Sequence, residues 1–313
     1  MSDTKNILWD RYIKVTFFLK DNEKLILERN QPVNGIDYSP DLSIESNFDT
    51  TENSNTAKIT VYNLPTDIIK KLTAGLEVLV EAGYWNDGEA NKNVGVVYKG
   101  VIGKPKGVQD GVNKKYEITC DSNNDEYKDT KINLKAGNGT KASTLINTIV
   151  SKLDKLKIGK IELTNDVVYK DGKTLHNNVK EIFKTIAKDC ESIFFISNGL
   201  VFFQKTNDIN RGTLELDLNK VTEITPNEDG YTIKMVFDSK FQEGYKVKLD
   251  LKNEYEDWEV KGEFPIIKGS HTMDYRGDAS TTIEIKSKLE KKENEIEIKI
   301  VSENKPGRKS TKK

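Results

Sequence analysis

The stretch that most constrains this chain runs from Thr56 to Tyr84, TAKITVYNLPTDIIKKLTAGLEVLVEAGY. Ala57, Ile59 and Val61 alternate with Lys58, Thr60 and Tyr62, the period of two that a half-buried strand requires. Leu64-Pro65-Thr66-Asp67 then offers a helix start. Proline suits the first helical position, and Thr66 is the alternative cap if the helix begins one residue later. Ile68, Ile69 and Leu72 form a small apolar stripe at helical spacing. Gly75 stands where a left-handed residue would end the helix. Leu76, Val78, Val80, Ala82 and Tyr84 alternate again, with Glu77 and Glu81 on the opposite face. Strand, short helix, strand: such a stretch belongs in a β-rich domain with a helical crossover.

The flanking sequence continues the pattern. Tyr12 to Leu19, a turn at Asp21-Asn22 and Leu25 to Leu27 read as a hairpin, with Trp9 as a packed anchor before it. Pro32 to Pro40 reads as a loop and Leu42 to Phe48 as a strand. Beyond a Gly/Asn/Asp-rich loop from Trp85 to Asn93, Val94 to Ile102 and Lys115 to Cys120 are strands around a loop rich in Gly and Lys. Residues 1–121 therefore form one antiparallel, barrel-like domain. Residues 122–210 have a different character. Gly137-Asn138-Gly139 is a turn, Thr140 can cap a helix, and Leu145, Ile146, Ile149, Val150 and Leu153 mark its stripe. A second helix begins near Thr174, with Val179, Ile182, Phe183, Ile186, Ala187 and Cys190 on its apolar face. Asn198-Gly199 between two apolar runs predicts a type I′ hairpin, because both turn positions need positive φ. This is a small α+β domain of two helices and a hairpin. Strands return over 211–289, where Leu214, Leu216 and Leu218 share a face, as do Tyr231, Ile233, Met235 and Phe237, and Tyr245, Val247, Leu249 and Leu251. Phe264 to Ile267 and Thr281 to Ile285 are shorter strands. Residues 290–313 are a charged extension with one edge strand at Ile296, Ile298 and Ile300.

Charge is balanced, with 49 basic and 50 acidic residues, which argues against a dedicated nucleic-acid binder. Hydrophobic residues make up only 35% of the chain, so part of its strand surface is expected to be buried against partners. No apolar run is long enough to span a membrane as a helix. The start MSDTKNILWDRY lacks the basic beginning and apolar centre of a secretion signal, so assembly in the cytoplasm is expected, with Cys120 and Cys190 as free thiols. His176 and His271 are the only histidines. Cys190 on an apolar helix face and Cys120 at a strand end read as packing residues, so no thiolate–imidazole pair is expected. No cluster suits zinc. Asp121 to Asp125 starts like a calcium loop but has Glu126 where glycine is required. Gly137 to Lys141 echoes a phosphate loop without its spacing. The many carboxylates single out no pair for sugar hydrolysis. Tyr84 and Trp85 could stack on a sugar but read as core or interface, and the basic run Lys305 to Lys313 as a solvated tail. Catalytic, cofactor-binding and metal-binding residues are expected to be none.

Val61-Tyr62-Asn63-Leu64, Gly75, Ala82-Gly83-Tyr84 and Val97-Tyr98-Lys99-Gly100-Val101-Ile102, in that order, resemble the first barrel of phage baseplate hub proteins. That family includes late control D-like proteins and is related to the base of type VI secretion spikes. Gly244-Tyr245-Lys246-Val247 and Ile266 to His271 resemble its second barrel. The likeness is weakest in the middle domain, and 290–313 departs from it. The resemblance implies two tail-tube-like barrels flanking a small α+β domain, with Asn63, Leu64, Gly75, Ala82, Gly83, Tyr84, Gly100, Gly244 and His271 as structural motif residues. It implies a virion structural protein rather than an enzyme: a homotrimer in the tail baseplate whose barrels form a ring matching the tail tube. Its partners would be the tail tube or distal tail protein, the central spike or tip and the tape-measure protein, with DNA only passing through. The particle would be a bacteriophage or a phage-tail-like bacteriocin. A tail-associated cell-wall hydrolase and a carbohydrate-binding receptor-recognition module are the alternatives.

Overall fold

The computed structural model describes residues 11–29, 40–53, 55–84, 94–122, 125–253 and 258–286. Trp9, the loops before Pro40 and after Tyr84, and the extension 290–313 with its expected edge strand lie outside them, as does part of the segment Asp121 to Asp125. The protein is mostly antiparallel β with few helices, the fold class expected from the alternation.

The first strands are β1 (Arg11–Phe18), β2 (Lys24–Arg29), β3 (Leu42–Asp49) and β4 (Thr56–Tyr62). After α1 (Thr66–Lys71) come β5 (Glu77–Tyr84), β6 (Gly95–Ile102), β7 (Lys106–Asp110) and β8 (Asn113–Asp121). Inward residues follow the predicted period: Ile59 and Val61 on β4, and Val78, Val80 and Ala82 on β5, are fully buried in one core. Pro65 precedes the first helical residue rather than occupying it, and the helix has no side-chain cap. Gly75 is left-handed (φ +88°), but it lies beyond the helix, in the turn into β5, where its N–H donates to the Ile102 carbonyl. The glycine- and lysine-rich loop contains β7, all five residues of which are exposed. With no inward face, β7 carries no alternation to detect.

The middle of the chain contains α2 (Asp125–Asp129), β9 (Lys131–Ala136), β10 (Thr140–Lys141), α3 (Ala142–Val150), β11 (Lys157–Ile161) and β12 (Val168–Tyr169). It continues with β13 (Lys173–Asn178), α4 (Val179–Asp189), β14 (Ser192–Ser197) and β15 (Leu200–Lys205). Both helical stripes are buried as expected. Thr140 does not cap α3; its hydroxyl bonds the Gly137 carbonyl, and Asp166 instead accepts from the Ser143 amide and hydroxyl. The second helix starts later than Thr174. Lys173–Asn178 is a strand paired with β9, and Asn178 caps α4 by accepting from the Glu181 amide at 2.9 Å. The Asn198-Gly199 turn has φ +51° and +82°, as type I′ demands. A parallel strand, β11, adds to this hairpin along β15.

The last strands are β16 (Thr213–Glu215), β17 (Val221–Pro226), β18 (Gly230–Val236), β19 (Lys246–Asn253), β20 (Trp258–Asp274) and β21 (Ala279–Lys286). Leu218 does not share a buried face with Leu214 and Leu216; it opens a short 3-10 turn and is half exposed. Phe264 to Ile267 is a piece of the 17-residue β20. The first part of β20 pairs with β19, and its last residues lie between β21 and β3, from Lys268 opposite Asp49 to Asp274 opposite Ser43. The strands before and after the middle segment therefore share one sheet, ordered β17-β18-β21-β20-β3-β4-β8-β6-β5-β1-β2. The cores interlock accordingly. Phe237 and Met273 pack in the core of the early strands, and Phe48 in that of the late ones.

Candidate functional site

The features that tie the parts of the molecule together converge on the connection between β18 and β19. Gln242 and Glu243 sit side by side there. The Gln242 amide donates to the Val96 carbonyl of β6 at 2.7 Å and to the Ser239 carbonyl at 3.0 Å, while its oxygen accepts from Asn198 in the hairpin turn at 3.3 Å. Glu243 is 1% exposed and accepts from the Asn55 side chain, next to β4, at 2.8 Å. Ser197 of β14 also bonds its carboxyl, and Arg211 lies close enough to attract it. Burial outweighs these partners and raises the Glu243 pKa. Arg211 donates to the Ser197 hydroxyl and to the Glu243 carbonyl, each at 3.0 Å. Its guanidinium stacks on Phe202 and Tyr245, with ring centroids 4.3 and 4.7 Å away. Two adjacent side chains thus bond all three parts of the chain, and neither has a sequence signature, since Gln-Glu-Gly reads as an ordinary turn.

His271 marks the seam where β20 meets β3. It is fully buried, with Nδ1 3.0 Å from the Thr281 hydroxyl oxygen. Its ring lies 5.1 Å from Phe48 and 5.5 Å from Phe237, and Nε2 has no hydrogen-bond partner. Desolvation holds its pKa down at about 3, so the imidazole is neutral. Beside it, Gly269 faces Phe48 across the strands. A Cβ at Gly269 would run into the Thr282 carbonyl oxygen and meet the Phe48 ring at 2.7 Å, so the strands close at this point around a glycine.

The other motif residues are spread through the fold rather than gathered at one site. Asn63 is left-handed (φ +56°); its side chain accepts from the Lys114 amide and donates to Asn113, each at 2.9 Å, clasping the β7–β8 turn. Leu64 is buried against the first core. Ala82, Gly83 and Tyr84 are buried on β5, with Tyr84 edge-on to Phe237 and its hydroxyl pKa raised by burial. A side chain at Gly100 would press the Asp121 carbonyl at 2.6 Å. Gly244 (φ +80°) leaves no room for a Cβ, which would fall 2.7 Å from Phe195 and 2.8 Å from Arg211.

The residues considered for chemistry lie apart. His176 is exposed on β13. Cys120 and Cys190 are buried free thiols; burial pushes Cys120 up to about 12 and raises Cys190. Among the described residues no three His, Cys, Asp or Glu side chains could hold a metal ion, and no helix is long and apolar enough to cross a membrane.

No protein-family model and no curated protein sequence matches the chain. Its fold is nevertheless that of known tail proteins. It is similar to a tail protein from Neisseria meningitidis MC58 at TM-score 0.58 and 9% identity, covering 88% of this chain and 97% of that one. The 43 kDa tail protein of prophage MuSo2 from Shewanella oneidensis also gives TM-score 0.58, at 8% identity over 88% and 96% of the two chains. An Escherichia coli type VI secretion component, described as similar in structure to bacteriophage T4 tail proteins gp27 and gp5, gives 0.54 at 9% identity over 82% and 76%. The chain thus has the fold of phage tail and type VI secretion spike proteins, in keeping with the hub-like architecture that the motifs suggested.

Proposed function

We propose that this protein is a structural, non-enzymatic component of a phage tail or phage-tail-like particle, and specifically a baseplate hub that joins the tail tube to the central spike or tip as a homotrimer. The observation that supports this most is the likeness in fold of 88% of the chain to solved tail proteins. In this reading residues 1–121 and 211–289 are the two tube-like domains, 122–210 is the α+β domain and 290–313 is an extension. Asn63, Leu64, Gly75, Ala82, Gly83, Tyr84, Gly100, Gly244 and His271 serve the fold rather than chemistry. The Gln242–Glu243 joint and the β3–β20 seam bond the parts of the chain to one another, which suits a part that transmits load along a tail axis. β2 and β17 end the shared sheet, each paired on one side among the described residues, and can pair with neighbouring subunits. The tape-measure protein and DNA would pass through the ring, and assembly would take place in the host cytoplasm. Cryo-microscopy of intact particles tests this directly. Three copies between tube and spike are expected; a peripheral fibre or a repeating tube ring would overturn it.

A further inference from the structure

A second site adjoins the joint at Asn198, in a cleft of about 270 Å³ between the early strands and the α+β segment. One wall is Glu77 of β5 and Lys99 and Gly100 of β6; the other is Asp154 to Lys157 and the Asn198-Gly199 turn, with Ser122 at the crossing between them. An ion pair of Lys155 with Glu77, 3.2 Å long, spans the cleft. Lys99 reaches toward the Gly199 turn, its ammonium 3.6 Å from where a Cβ on that glycine would stand. Neither Lys99 nor Lys157 has an ion-pair partner among the described residues.

The floor is unusual. Ser122, which lines the cleft, is 8% exposed, and its hydroxyl has no hydrogen-bond partner. It lies beside Gly100, where a side chain would come within 2.9 Å of the Ser122 Cα. Buried hydroxyls are ordinarily satisfied, and leaving them bare is costly. Two unpaired ammonium groups and one unpartnered hydroxyl make a donor-rich inventory, which suits an anionic acceptor. Lys99, Lys155 and Lys157 against Glu77 and Asp154 leave one net positive charge, matching one carboxylate better than a doubly charged phosphate.

We propose that this cleft binds a carboxylate, supplied free or by a glutamate or aspartate side chain of a partner protein. The test uses the full chain and follows the amide resonances of Gly100, Ser122 and Gly199 during titration. Three probes are compared: sodium acetate, the peptide acetyl-Gly-Glu-Gly-amide, and inorganic phosphate, each against sodium chloride at equal ionic strength. Saturable shifts with acetate and the peptide, weakened about tenfold in Lys99→Gln and in Ser122→Ala, are expected from loss of a charge-assisted hydrogen bond. Tighter binding of the peptide would assign the carboxylate to a partner chain; equal binding would assign it to a free ligand. Should Ser122→Ala not fold, Lys157→Gln, on an exposed side chain, serves in its place. Shifts equal to those in chloride, shifts unchanged in Lys99→Gln, or a preference for phosphate would overturn the proposal.

Discussion

Acid should loosen the seam between β3 and β20 before it unfolds the protein, and His271 sets the size of the effect. Its pKa is about 3 in the folded protein against an ordinary 6.5. Below 6.5 the unfolded chain therefore takes up a proton that the folded chain refuses. Stability from the neutral imidazole is complete above pH 6.5 and is lost as the pH falls toward 3, at about 1.4 kcal/mol per pH unit. By pH 5 the loss is about 2 kcal/mol. The physical cause is specific: the imidazolium would need a partner for Nε2–H, and Phe48 and Phe237 offer none. Glu243 works in the opposite direction over part of this range, so wild-type stability alone is not diagnostic. Urea unfolding of wild type and His271→Gln at pH 7 and pH 5 isolates the histidine, because Glu243 is common to both. The wild type should lose about 2 kcal/mol more than the variant on acidification. Equal losses in both proteins would refute the burial argument.

Three further outcomes follow from the joint and the first core. Glu243→Gln should fold and lose part of the pH dependence: a raised carboxyl pKa means that the wild type loses stability as the pH rises above about 4.5, which calorimetry of both proteins between pH 4.5 and 8 would show. Gly244→Ala should cost at least about 1 kcal/mol, since its φ is +80° and Phe195 and Arg211 fill the space; chemical denaturation measures it. Leu72→Ala should cost about 2–5 kcal/mol by the same assay, because Leu72 is 3% exposed in the core beneath α1. An unchanged midpoint there would mean that the helix does not cover that core.

Much of the fold was legible because strands with one buried face announce themselves. Ile59, Val61, Val78 and Val80 alternate in sequence and are buried in space, and Asn198-Gly199 specified its hairpin outright. Failures came where periodicity carries no information. β7 buries nothing, and β13 runs straight into α4, so its alternation at Leu175 was absorbed into a helix that begins only after Asn178. The seam was invisible for another reason: an apolar strand shows which of its faces is buried but not which distant strand it pairs with. The candidate sites were the least legible. Gln242, Glu243, Asn55 and Ser122 are polar residues at turns and crossings, and only three-dimensional placement distinguishes them from solvated ones.

The seam also dictates an order of events during synthesis. Asp49 lies in an early strand and Lys268 near the end of the described chain, yet they are paired. A nascent chain cannot complete the sheet until β20 has left the ribosome, and β3 presents an open edge until then. The α+β segment, whose helices and hairpin are neighbours in sequence, can fold in the meantime. Long-range pairings of this kind close slowly and leave strand edges open to aggregation. The slowest step in maturation of this protein is therefore expected to be the docking of β20 onto β3, and truncation before residue 274 should leave an unzipped, aggregation-prone first half.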